Sequence, residues 1–296
     1  MEDIRFSNIT TDHLSIPAFA EKNIEADVLR LDKMHPVISG NKWFKLRYYL
    51  DDAKYLRKKR IVTFGGAWSN HIIATAAACK LSGFKSTGII RGEEPAVLSS
   101  TLKNAKELGM DLCFLSRGEY KKKKIPGKLV NDDCYFINEG GYGSKGADGA
   151  ATILDFCLKS GYTHICCACG TGTMAAGLMK GKDSKTKIVV VSVLKKNFGA
   201  EENILSLLQN GETGLTIIHD YHFGGYAKYT DALLHFMNEF YRETSIPSDF
   251  VYSGKLFFGI HDLISKDYFQ PGSRLLLIHC GGLQGNASLR NGTLIF

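Results

Sequence analysis

Apolar residues along this chain fall into short β-branched runs that alternate with longer segments of helical period, and glycines mark most of the boundaries. Residues 26–32, 60–64, 86–91, 111–115, 135–138, 163–169, 187–193 and 274–279 read as strands. Between them, 42–56, 69–82, 99–108, 150–160, 174–180 and 229–244 read as helices. Ser69 or Asn70 is a natural N-cap for the Ala-rich second helix, and Gly83 stops it. The run at 187–193 is apolar throughout, as a strand covered on both faces should be. Regular strand–helix alternation predicts an α/β protein with parallel sheet. The two series divide near 140–155, which predicts two βα lobes with a cleft between them.

Composition narrows the class. A chain of 296 residues with 44% hydrophobic and 23% charged residues can bury a sizeable core. No apolar run reaches the ~20 residues of a membrane span. The start, Met1-Glu2-Asp3-Ile4-Arg5-Phe6, carries an early acidic pair and no apolar segment, so a signal peptide is not expected and a cytoplasmic location is. The net charge of +7 peaks at Lys121-Lys122-Lys123-Lys124. That run reads as a solvated loop, and with no nucleic-acid motif beside it, no nucleic-acid partner is expected. Eight cysteines without a secretion signal do not make a disulfide framework. Three of them, Cys166, Cys167 and Cys169, share a strand whose side chains alternate between faces, so they read as small buried hydrophobes rather than a metal site.

Candidate chemistry sits at the junctions. Lys42 opens a helix after Ser39-Gly40-Asn41, and Lys45 shares its face one turn on. A lysine so placed can form an imine with an aldehyde cofactor. Gly170-Thr171-Gly172-Thr173 leaves a strand and enters a helix, an arrangement of amides and hydroxyls that cradles an anion. It lacks the Gly-Lys-Ser/Thr ending of a nucleoside triphosphatase loop. With Ala175 it satisfies the dinucleotide fingerprint, and Lys195 and Lys196 stand where the usual acidic residue is missing, so an NADP-binding oxidoreductase is the alternative from another cofactor class. Gly65-Gly66-Ala67-Trp68-Ser69-Asn70-His71 is a second junction, suited to a carboxylate. Tyr252 precedes a helix start in Val251-Tyr252-Ser253-Gly254-Lys255, Tyr226 follows Gly224-Gly225, and His279-Cys280-Gly281-Gly282 ends the last strand.

In this order the segments resemble the 1-aminocyclopropane-1-carboxylate deaminase and D-cysteine desulfhydrase family, over about residues 32–283. That resemblance implies a pyridoxal-phosphate enzyme of the tryptophan-synthase-β-like fold: two open, twisted, mostly parallel sheets with helices on both faces and the active site between the domains. The larger domain would comprise 1–47 with 155–296, and the smaller 48–154. By the same resemblance, Lys42 holds the cofactor and moves the substrate's α-proton. Lys45 joins Gly170, Thr171, Gly172 and Thr173 on the phosphate, Asn70 bonds the pyridoxal ring oxygen, and Ser253 meets the ring nitrogen. Ser69, Asn70 and His71 grip the substrate carboxylate beside Cys280, and Tyr252 and Tyr226 face the substrate. Ring-opening members typically carry Glu, Leu and Gln where this chain has Ser253, Cys280 and His71, which favours β-elimination from a small D-amino acid, in a homodimer. Trp68 stands where Gln is usual.

Overall fold

The computed structural model describes residues 3–157, 161–208 and 213–296. Among them, ten strands form two sheets: β1 (Thr11–His13), β2 (Glu25–Arg30), β3 (Arg60–Gly65), β4 (Lys85–Arg91), β5 (Met110–Leu115), β6 (Cys134–Ile137), β7 (His164–Cys169), β8 (Lys187–Ser192), β9 (Leu215–Ile218) and β10 (Arg274–His279). The larger sheet runs β1-β2-β10-β7-β8-β9, and only its β1–β2 edge is antiparallel. The smaller runs β5-β4-β3-β6, all parallel.

Strands β7, β8 and β10 are buried over all but their first residue. This requires helices on both faces and explains their unbroken apolar runs. Cys166 and Cys167 lie fully buried in that core with Val189, Val190 and Leu277. Each buried Val or Leu there contributes roughly 1.5–3 kcal/mol of transfer free energy. No helix among the described residues is long and apolar enough to cross a membrane.

Several expected boundaries move. The first long strand stops at Arg30 and turns through a 3-10 segment, Leu31–Met34. The helix expected at 150–160 instead runs Ser144–Ala151 and tightens to 3-10 over Thr152–Phe156; residues 158–160 lie outside the described residues. Gly149 is the reason: a Cβ there would fall 1.9 Å from the Phe44 carbonyl oxygen, so glycine lets this helix lie against the helix Asn41–Tyr55. Sequence periodicity reads such a glycine as a breaker, whereas here it is a contact. The helix Arg117–Lys121 takes the first lysine of the basic run, and Lys123 packs its ammonium 4.8 Å from the Phe64 ring centre and 4.9 Å from that of Tyr120. All four lysines of the run are nonetheless solvent-exposed, as expected.

Candidate active site

Open parallel sheets place ligands outside the carboxyl ends of their strands. Here the end of β4 and the loops after β3, β5, β6, β7, β8, β9 and β10 all contribute to one cavity of about 960 Å³. Lys42, Lys45, Ser69, Asn70 and His71 line it, with Gly170, Thr171, Tyr226, Tyr252 and Cys280 opposite. Gly172, Thr173 and Ser253 are not on its wall. Gly172 caps the helix Thr173–Gly181 in the left-handed region, and Thr173 is buried with its hydroxyl 3.0 Å from that of Thr171.

Gly40 sets the position of Lys42. Its φ is +68°, and a Cβ there would lie 1.9 Å from the Cys280 carbonyl oxygen, so the helix can start hard against the end of β10. Lys42 Nζ donates to Asn41 Oδ1 at 2.8 Å, and Asn41 Nδ2 is 3.0 Å from Met174 Sδ. Burial lowers the Lys42 pKa, opposed by Cys280 and Asp249. Lys45 is 6% exposed. Burial, then the neighbouring Lys42, pushes it down to about 7. A buried ammonium without a carboxylate is costly, and a phosphate dianion beside the amides of the Thr173 helix relieves that cost.

The second junction is built differently. Ser69 accepts from the Ile72 N–H at 3.4 Å, capping the helix Asn70–Ser82. His71 Nε2 lies 2.8 Å from Thr63 Oγ1, and Thr63 spends its only proton on the Ile137 carbonyl at 2.8 Å. His71 must therefore donate from Nε2, leaving Nδ1 an acceptor. Burial, with Lys42 and Lys45 nearby, pushes its pKa to about 3, so the ring is neutral. Its side chain cannot donate to a carboxylate; its backbone amide in the first helical turn can. His71 Nδ1 and Asn70 Oδ1 are both buried without a partner, two polar atoms awaiting a ligand.

Tyr226 and Tyr252 pack edge to face, 6.3 Å between ring centres. Burial raises both phenols. Burial likewise pushes the Cys280 thiol up to about 12, so it stays neutral. Ser253 is turned away: its hydroxyl donates to Asp249 Oδ1 at 2.6 Å and receives the Asp249 N–H at 2.8 Å.

Sequence reasoning assigned no role to Asp249 or Lys255. Fully buried Asp249 accepts from the N–H groups of Val251, Tyr252 and Ser253 at 2.8–3.0 Å, holding the start of the helix Ser253–Ser265. Lys255 donates to the His222 and Gly225 carbonyls, both at 2.8 Å, and so shapes the loop that presents Tyr226. The Gly254-Lys255 pair beside Tyr252 was the available signal. Arg91, Arg117, Lys123 and Glu139, also on the wall, had none, because the end of β4, the β5–β6 connection and the loop after β6 bring them together.

One cavity thus joins a lysine at a helix start to two loop-to-helix junctions whose amides suit anions. The chain belongs to the pyridoxal-phosphate dependent enzyme family, whose pattern matches residues 5–281. It is 29% identical to the bifunctional D-cysteine desulfhydrase/1-aminocyclopropane-1-carboxylate deaminase of Arabidopsis thaliana, over 84% of this chain and 70% of that one. It is 26% identical to the D-cysteine desulfhydrase of Salmonella choleraesuis, over 86% of each. A solved ACC deaminase homologue superposes with a TM-score of 0.80 at 25% identity, covering 94% of this chain and 90% of that one. The protein is therefore a pyridoxal-phosphate dependent enzyme, and the nicotinamide alternative is set aside.

Proposed function

We propose that this enzyme removes a β-substituent and ammonia from a small D-amino acid, with D-cysteine plus water giving pyruvate, hydrogen sulfide and ammonia. The observation that carries the reading is Lys42. It is a half-buried amine with a lowered pKa, hydrogen-bonded to an amide rather than a carboxylate, and it shares one cavity with an anion cradle and a carboxylate junction. Bound pyridoxal phosphate supplies a carbonyl that links to amines and an electron sink for the substrate's Cα.

The residues divide the remaining work. Lys42 would hold the cofactor and, as a free amine, take the proton from Cα. Lys45, the Thr171 hydroxyl and the amides beyond Gly170 would bind the phosphate. The Asn70 and His71 amides would orient the substrate carboxylate, with Nδ1 of His71 accepting from a donor on the ligand. Tyr226 would donate to the departing sulfur. Ser253, off the cavity wall and with its proton engaged by Asp249, would donate nothing to the ring nitrogen. Sheet membership supports a division into lobes of 1–47 with 155–296 and 48–154.

Ring opening of 1-aminocyclopropane-1-carboxylate is the second reading, favoured by the two activities in the name of the Arabidopsis relative. Keto-acid release from D-cysteine, D-serine and 1-aminocyclopropane-1-carboxylate separates them. Turnover of D-cysteine is expected to exceed the others; turnover of the cyclopropane substrate alone would overturn the preference.

A further inference from the structure

The mouth of the cavity carries more positive charge than a three-carbon neutral substrate needs. Arg91, at the end of β4, and Arg117, just beyond β5, both line it, with Lys123 and Glu139 beside them. Lys123 is paired with Glu139 at 3.2 Å. Neither guanidinium has a hydrogen-bond or ion-pair partner among the described residues. The Arg91 guanidinium lies 3.5 Å from where a Cβ on Gly66 would sit, against the carboxylate junction, and 6.0 Å from the Tyr120 ring centre. Arg91 and Glu139 both act on the Tyr226 phenol across the cavity. The rim and the reacting end are thus parts of one space.

Charge placement separates the two ends. The inner anion sites are served by Lys45 with the Thr173 helix and by the Asn70 helix, which together accommodate a cofactor phosphate and one substrate carboxylate. Two guanidinium forks remain at the outer end. A planar fork binds a carboxylate, phosphate or sulfonate through paired hydrogen bonds and does little for a thiol or hydroxyl.

We propose that the preferred substrate carries a second anionic group at or beyond Cβ, bound by Arg91 and Arg117. This rests on the cofactor reading above and names its substrate class. The test is calorimetric binding to the cofactor-loaded enzyme, using racemic O-phosphoserine against serine and aspartate against asparagine. Wild type, the Arg91→Gln/Arg117→Gln double variant and Arg117→Lys are compared, with unchanged melting temperature as the check on folding. The anionic member of at least one pair is expected to bind about tenfold tighter at low salt. That preference should shrink at high salt and in the double variant, and partly return with lysine. The phosphoserine and aspartate arms tell a phosphate ester from a carboxylate. Equal affinity within both pairs, or a preference that survives the double variant, would overturn the proposal. Visible absorbance of bound cofactor is scored first: failure to load sinks the parent reading, whereas loading without an anion preference sinks only this one.

Discussion

The loop after β7 and the loop after β3 use similar residues, glycines followed by hydroxyls at a helix start, yet they are completed differently. After β3, Ser69 closes its own helix by accepting from Ile72, and His71 gives its ring proton to Thr63. After β7, Gly172 occupies the cap position and no side chain caps the helix. The first junction is largely satisfied within the protein, leaving backbone amides and two unpartnered acceptors. The second leaves its amides open and sets the under-compensated ammonium of Lys45 beside the end of β7. A strongly charged phosphate suits the open junction, and a singly charged carboxylate suits the half-closed one. Lys42 stands between them.

The largest expected effect breaks both halves at once. Lys42→Ala should lower turnover at least about 10³-fold, because holding the cofactor and moving the α-proton are lost together. Steady-state keto-acid release measures this, with the melting temperature showing that the fold survives. Tyr226→Phe should cost about 10²-fold in kcat, as expected when a positioned acid is removed. Tyr252→Phe should cost less where Tyr226 is the acid; equal losses would contradict that assignment.

Lys45→Met sharpens the phosphate side. Cofactor affinity should fall by about tenfold or more, read by equilibrium titration. The apoprotein should respond the other way. Lys45 titrates near 7 when folded, against an ordinary 10.5, so between those values the unfolded chain binds more protons. Its charge therefore opposes folding fully below about pH 7, and that cost disappears as pH rises towards 10.5. Removing the amine should stabilise the apoprotein by about 2–4 kcal/mol near neutrality, with the gain vanishing at high pH. Denaturant unfolding across that range reads it directly. On the carboxylate side, Ser69→Ala should cost only about 1 kcal/mol of stability through the lost cap. If the amides rather than the hydroxyl hold the substrate, KM should change little.

What could be read from the chain follows from how local each signal is. Glycine-rich junctions and the lysine at a helix start are consecutive residues, so both loops and Lys42 were legible together with the parallel-sheet class. The short edge strand Leu215–Ile218 was not, because its half-buried residues lack the apolar run of β8. The helix Ser144–Ala151 was hidden by glycines that serve packing. Donor–acceptor roles were also out of reach: only the Thr63–Ile137 hydrogen bond shows that His71 is an acceptor, and only the Asp249 contact shows that Ser253 has no proton to give. The cationic rim comes from residues 26 positions apart in sequence, Arg91 and Arg117, joined by topology alone.

The central claim is that one lysine carries the cofactor, and reductive trapping addresses it most directly. The enzyme is loaded with pyridoxal phosphate, reduced with borohydride, digested, and its peptides weighed by mass spectrometry. The account predicts the added mass of the reduced cofactor on Lys42, with Lys45 unmodified. Label on Lys45 or Lys255 instead, or no label on a protein that still turns over substrate, would contradict it.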